Sequence, residues 1–446
     1  MSARIPSDVQ VDIYLRQLKP LLDQPSISST GDGMERCSKL VSEALDAFGF
    51  DTIEQLDGEK FPIVYAELGP DSASPTVCFY GHYDVQPIAS PELWHSEPFN
   101  AELRDGRLFA RGVGDNKGQF FTHLCAVDWL TQQGWSDNIN VKMIIEGEEE
   151  IGSPTLEKLA AADSRILADV DLVVIADGPL HPLGQPTIIY GNRGILAVEI
   201  SITTASSPLH SGNFGGPTPN AANILMNALN SVIDGNVVTL SGFSDDIELP
   251  PTARELAGKV NQDEKALLRR YAIDGFVGKF PFTEQLLCEP AVSINGLSAG
   301  YQGDGKQAII PNTAKAKLDI RLVPNQDPDS IFAQLRDCLR GIDPRFEIKY
   351  LDSFPPMAND PNTSEAGLII DSLQSVWGEP VLELPMMGGS VPAAYLKKMA
   401  GAPTIIVPYA NPDQNNHAPN ENLDLDCFAR GVGVSAELLR LMSRRD

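Results

Sequence analysis

Histidines and carboxylates recur in this chain just where apolar runs end. Val77-Cys78-Phe79-Tyr80 leads into Gly-His82-Tyr-Asp84, and Met143-Ile144-Ile145 leads into Glu146-Gly-Glu148-Glu149-Glu150. Leu172-Val173-Val174-Ile175 leads to Asp177, and Thr404-Ile405-Ile406-Val407 leads into a polar loop that reaches His417. Asp115 sits in RGVGDNKG, at the start of the helical stretch that follows the first of these runs. A run of acids is usually a solvated face. The stretch before this one reads as buried, so adjacent like charges at its end call for a cation. Imidazole nitrogens and carboxylate oxygens with no cysteine nearby suit catalytic zinc, manganese or cobalt rather than a closed structural zinc site. Five such groups are one too many for a single catalytic zinc and fit two ions sharing a carboxylate. Asp84 can accept a hydrogen bond from the non-ligating ring nitrogen of His82 and so fix its tautomer. A lone His-x-Asp is more often a capped turn or a surface pair. It is the repetition at successive strand ends that points to a metal site.

The elements that must position these groups follow from periodicity. SPTVCFYGH, NVKMIIEG, DVDLVVIADG and APTIIVPYA read as strands, and GQFFTHLCAVDWLTQQ and GVGVSAELLRLMSRR as helices. Near-continuous apolar strands alternating with helices predict a parallel sheet covered on both faces. Ligands of such sheets bind at the carboxyl ends of the strands. The middle of the chain differs: GILAVEISITTA, TAKAKLDIRLVP and RFEIKYLDSF alternate with period two, between helical stretches PNAANILMNALNSVI and DPDSIFAQLRDCLRGI. The expected architecture is α/β. A mixed, mostly parallel sheet with helices on both faces is built from residues 1–191 and 355–446. An α+β insertion over 192–354 lays two helices on an antiparallel sheet.

At 446 residues the chain is too long for one compact core. Its formal net charge of -26 argues against nucleic acid or anionic membranes as partners. The six cysteines are scattered without a CxxC pair, as expected for free thiols in a reducing cytoplasm. No apolar run approaches the ~20 residues of a membrane span, and MSARIPSDVQVDIYLRQLKPLL lacks the layout of a secretory leader. A cytoplasmic protein is the expectation.

GHYDVQP, RGVGDNKG, EGEEEIGSP, the Asp177 strand end, PLHSGNFGG, IIPNTAKAKLDIRLVP and GGSVP occur in this order along nearly the whole chain. Together they resemble the co-catalytic di-zinc amidohydrolases that include aminoacylases and carboxypeptidases, and among these the carnosinase-like cytosolic dipeptidases. The resemblance implies that His82, Asp115 and Asp177 hold one ion and that Asp115, Glu150 and His417 hold the other, with Asp115 bridging and the Asp115–Asn116 peptide cis. The metals implied are two divalent ions per chain, zinc first, with manganese or cobalt as the other choices. It further implies cleavage of the amide bond of dipeptides, or short peptides with a free C-terminal carboxylate, by a water bridging the two ions. Glu149 is then the general base that also protonates the leaving amine, and Asp84 assists through His82. His210 is the oxyanion donor, and Arg321 with Gly388, Gly389 and Ser390 grips the substrate carboxylate. The inserted domain becomes a lid that forms a homodimer in which His210 serves the partner's site.

Glu148 is left as either a support for the ligands or a surface acid. Ala308 stands where the family it resembles often has Thr or Ser, a departure that bears on side-chain contacts and so on substrate preference. His95, His123 and His181 have no counterpart, and His123 reads as a packed or partly exposed helix residue. GYQGDGKQ lacks the Ser/Thr of a nucleotide-binding loop. GGSVP is not a nucleophile elbow, since Pro392 replaces the second glycine. The alternatives are a deacylase or desuccinylase of N-acyl amino acids and, more distantly, a non-enzymatic metal binder. An intact base beside an intact ligand set speaks against the last.

Overall fold

A computed structural model describes residues 8–69, 74–134 and 138–444. Residues 1–7, on which part of the leader reading falls, lie outside the described residues. No described helix is long and apolar enough to cross a membrane. The chain divides into two compact units: Met1–Gly191, Asn359–Leu384 and Pro392–Asp446 form one, and Asn192–Ala358 with Pro385–Val391 form the other.

The first unit is built on an eight-stranded sheet. Across it the strands run Thr52–Leu56, Ile63–Leu68, Asn140–Glu146, Thr76–His82, Leu172–Ile175, Thr404–Ile406, Thr187–Ile189 and Leu382–Leu384. The four central strands, from Asn140–Glu146 across to Thr404–Ile406, pair in parallel, while the first two pairings of the sheet are antiparallel. Every residue of Thr76–His82, Asn140–Glu146 and Leu172–Ile175 is buried, which requires helices on both faces of the sheet. Lys117–Gln132 is apolar on nearly every side and buried from Lys117 to Val127, as a helix inside a core must be. It packs against Leu425–Met442, which in turn meets Ser364–Trp377. Pro154–Ala161 and Ala393–Ala400 form another packed pair. The α/β class expected from the sequence is the one observed.

The second unit is a four-stranded antiparallel sheet, ordered Ala291–Ala299, Thr313–Leu322, Gly194–Thr203, Phe346–Phe354. Burial alternates along Gly194–Thr203 and Thr313–Leu322, so each strand shows one face to a core. That core joins Leu196, Val198 and Ile200 to Leu225 and Leu229 of the helix Ala221–Val232 and Ile331 and Leu335 of the helix Pro328–Ile342. Asn220 and Asp327 cap these helices, accepting from Ala222 N at 2.9 Å and Ser330 N at 3.1 Å. The bounds differ from the sequence-based expectation in two respects: the unit runs on to Ala358 rather than ending at 354, and it takes in a second segment. Pro385–Val391 belongs to this unit because Arg193 grips it, donating from its backbone N to Met387 O at 3.2 Å.

Candidate metal centre

Two neighbouring strands end side by side: His82 pairs with Glu146 and Tyr80 with Ile144, while Tyr80 on its other flank pairs with Ile175. The residues that follow therefore emerge at one edge of the sheet. A side chain at Gly81 would place its Cβ 2.3 Å from Phe120 Cβ, so only glycine lets the helix Lys117–Gln132 pass this close to the strand end. Asn116 precedes that helix and ties the strand ends together. Its Nδ2 donates to Ala176 O at 2.6 Å, and its Oδ1 accepts from His82 N at 3.3 Å. The Asp115–Asn116 peptide is cis.

Ligand atoms of His82, Asp115 and Asp177 all lie within 4.8 Å of one another, and so do those of Asp115, Glu150 and His417. Asp115 belongs to both groups through opposite oxygens: its Oδ1 is 3.1 Å from His82 Nε2, and its Oδ2 is 3.0 Å from His417 Nε2. His82 Nε2 is also 3.7 Å from Asp177 Oδ2, and His417 Nε2 is 3.4 Å from Glu150 Oε2. His82 Nδ1 faces only acceptors, Asp84 O at 3.0 Å and Asp84 Oδ1 at 3.3 Å. Neutral His82 thus carries its proton on Nδ1 and turns the Nε2 lone pair to the carboxylates. Asp84 also accepts from the backbone N of Glu149 at 3.3 Å and Glu150 at 3.0 Å, so one buried carboxylate fixes both ligand-bearing segments.

The three adjacent glutamates have three different surroundings. Glu148 is buried and accepts from Lys60 N (2.6 Å), Phe61 N (2.8 Å), Thr155 N (3.1 Å) and Thr155 Oγ1 (2.6 Å). It is a structural strut, pinning a loop to the first turn of Pro154–Ala161, rather than a surface acid. Glu150 Oε2 accepts from Gln86 at 2.7 Å, while its buried Oε1 has no partner. Burial pushes Glu149 well above the usual carboxylate range; His82 opposes that, and the charges of Glu150, Asp177 and Asp115 reinforce it.

This carboxylate crowding is the test of fit to cations. Burial, then the charge of Asp115, pushes Asp177 up to about 7. Hydrogen bonds to Asp115 and Glu150 raise His417 to about 10. Burial disfavours protonation of His82, yet its bonds to Asp115 and Asp84 outweigh that and raise its pKa well above the ordinary value. The carboxylates therefore crowd together with the two imidazoles as the basic groups beside them. An orphaned buried oxygen on Glu150 and an all-nitrogen and oxygen donor set of two overlapping triads fit two divalent ions.

The remaining candidates lie in the second unit. Arg321 Nη1 donates to Ser390 Oγ at 3.3 Å and Nη2 to Asp319 Oδ2 at 3.1 Å; Ser390 Oγ donates to Arg193 O at 2.7 Å. Gly388 O accepts from Arg193 Nε at 3.2 Å and Nη2 at 3.1 Å, and Gly389 lies exposed between Gly388 and Ser390. His210 is exposed, and its Nδ1 accepts from Gly212 N at 3.1 Å, which leaves Nε2–H as a donor in the neutral ring. Ala308 O accepts from Ser211 N at 2.9 Å, so position 308 meets the His210 segment through its backbone. His123 is fully buried and stacked on Phe79 at 4.0 Å, with Nδ1 2.9 Å from Ser435 Oγ, which makes it a core residue. Sequence reasoning missed Gln86, Arg111, Arg193 and Glu421. Polar residues in loops carry no periodic signal, and only their proximity to the ligand motifs hinted at a role.

A doubly covered, mostly parallel sheet whose strand ends gather two overlapping triads of candidate metal ligands is a framework suited to metal-dependent hydrolysis. The model of peptidase family M20/M25/M40 matches residues 78–441, and the chain belongs to that family; it is an enzyme, a metallopeptidase. It is 28% identical to a Beta-Ala-His dipeptidase of Mus musculus, over 87% of this chain and 82% of that protein. It is 27% identical to a Cys-Gly metallodipeptidase of Schizosaccharomyces pombe, over 85% of this chain and 83% of that protein. Among solved structures it resembles an M20 family metallo-carboxypeptidase from Sulfolobus solfataricus, with a TM-score of 0.89 and 31% identity over 96% of this chain and 99% of that one.

Proposed function

We propose that this enzyme cleaves the amide bond of dipeptides bearing a free C-terminal carboxylate. The observation that carries the proposal is the sharing of Asp115 between the two triads, with the desolvated Glu149 beside them. His82, Asp115 and Asp177 would hold one divalent ion and Asp115, Glu150 and His417 the other, zinc being favoured by the donor set. Bound there, the ions would polarise the scissile carbonyl and bring the pKa of a water within reach of a carboxylate base. Glu149 would take that proton and give it to the departing amine nitrogen. Asp84 keeps His82 in the ligating tautomer and holds the Glu149–Glu150 backbone. His210 offers Nε2–H to the developing oxyanion. Arg321, aimed by Asp319 and Ser390, pairs with the substrate carboxylate beside the Gly388–Ser390 backbone.

We further infer a cytoplasmic homodimer formed through the second unit as a lid, with His210 completing the partner's centre. Mixing His210→Ala with Glu149→Ala chains, each inactive alone, tests it: activity returns after subunit exchange only if His210 acts in trans. Substrate class is tested by assaying zinc-loaded protein on dipeptides, tripeptides, and N-acetyl and N-succinyl amino acids. The dipeptidase names of two relatives favour the first, and the carboxypeptidase among the structures gives longer peptides the second claim. Preference for the acyl amino acids would replace the proposal with a deacylase.

A further inference from the structure

Glu421 and Arg111 form a buried ion pair that the chemistry above does not use. Arg111 Nη1 meets Glu421 Oε2 at 2.7 Å, and the side chains are 1% and 0% exposed. The same carboxylate accepts three backbone donors of the Asp115 loop: Gly112 N at 3.1 Å, Gly114 N at 2.9 Å and Asp115 N at 3.0 Å. The loop is closely fitted: Gly112 has a φ of 85°, and a Cβ at Gly114 would lie 2.0 Å from Gln414 Oε1. Glu421 also closes the loop that bears His417. Its O accepts from Ala110 N at 3.2 Å, and its neighbour Asn422 donates from N to Gln414 O at 2.8 Å. His417 itself stands in the left-handed region, at a φ of 58°. One residue therefore holds the backbone of Asp115 through its carboxylate and stands, through its own backbone, at the base of the loop carrying His417.

A buried ion pair is weak evidence of stabilisation, since apolar residues of equal volume often stabilise as well or better. Its place at the root of two ligand-bearing loops points elsewhere. We propose that Glu421 and Arg111 are positioning residues of the metal centre, fixing the separation of Asp115 from His417 and so the affinity for the ion those two share with Glu150. The inference rests on the ligand reading above.

The test measures zinc dissociation constants of the full chain by competition with a chromophoric chelator, beside the unfolding of the chelator-stripped protein. Glu421→Gln keeps the shape and removes the charge and one acceptor oxygen; Arg111→Met removes its partner. Leu439→Ala, a cavity in the core far along the last helix, controls for lost stability alone. The expected result is two zinc ions in the wild type, with one bound about 10- to 100-fold more weakly in Glu421→Gln and Arg111→Met and both unchanged in Leu439→Ala. Should Glu421→Gln fail to fold, Glu421→Asp, which keeps the charge but withdraws it by one methylene, is read in the same way. Affinities within twofold of wild type in the pair variants, or an equal loss in Leu439→Ala, overturn the positioning role. Fewer than two ions in the wild type would instead overturn the ligand reading on which it rests.

Discussion

Replacing Glu148 separates the structural member of the acidic run from its neighbours. Its two oxygens accept four donors, from Lys60, Phe61 and both the N and Oγ1 of Thr155. Hydrogen bonds to a charged group are each worth about 1.5–3 kcal/mol, and donors left buried cost about 1–3 kcal/mol each. Water can reach the exposed Lys60 end, whereas the Thr155 bonds are buried. Counting chiefly the Thr155 pair, Glu148→Ala should destabilise the first unit by about 3–5 kcal/mol. Glu148→Gln is no milder than about 2 kcal/mol, because whichever way the amide turns, its NH2 faces donors. The assay is urea unfolding of stripped protein, paired with kcat measured on the metal-loaded folded fraction at low temperature. Turnover per folded molecule should stay within about tenfold of wild type, since Glu148 touches no reacting group. A Glu148→Gln variant as stable as wild type, or one lowering kcat a thousandfold at full metal content, would refute this division of labour.

Burial holds His123 down at about 3, so between that value and the ordinary histidine range the unfolded chain takes up a proton the fold refuses. Stability should therefore fall as pH drops from about 6.5 towards 3, with His123 contributing about 1.4 kcal/mol per pH unit. In acid titrations of stripped protein His123→Gln should flatten that slope, and an unchanged slope would exclude His123 as its source. At the carboxylate site, free dipeptides should exceed their C-terminal amides in kcat/KM, and Arg321→Met should remove most of that preference. Charged hydrogen bonds of about 1.5–3 kcal/mol correspond to roughly 10- to 150-fold. An acid-to-amide ratio unmoved by Arg321→Met would take Arg321 out of substrate binding.

The parts of the fold legible in the sequence are those where burial leaves a pattern. Thr76–His82 and Asn140–Glu146 are buried on both faces and read as continuous apolar runs, so their polar ends stood out. Gly194–Thr203 and Thr313–Leu322 alternate because only one face is covered. The stretch from 241 to 290 carries no such signal: of its short helices, Glu264–Tyr271 buries no residue at all. The neighbouring strand Ala291–Ala299 lies at a sheet edge and leaves Ile294 and Leu297 exposed, so alternation is lost there too. Within the site, chemistry made His82, Asp115 and His417 conspicuous, whereas Glu148 and Glu421 look like ordinary surface acids. Their roles arise from backbone donors brought to them by distant segments, Lys60 and Phe61 for one and Gly112 to Asp115 for the other. No local pattern encodes that.

The most direct test of the central claim sets Glu149→Gln against Glu150→Gln in parallel, measuring bound metal and single-turnover cleavage of a dipeptide. Glu149→Gln should retain two ions per chain and bind the dipeptide, yet cleave it at least about 10²-fold more slowly, because a general base is lost and no ligand is. Glu150→Gln should lose an ion, since its carboxylate completes the triad with Asp115 and His417. Near-normal cleavage by Glu149→Gln, or metal lost from Glu149→Gln and kept by Glu150→Gln, would contradict the account.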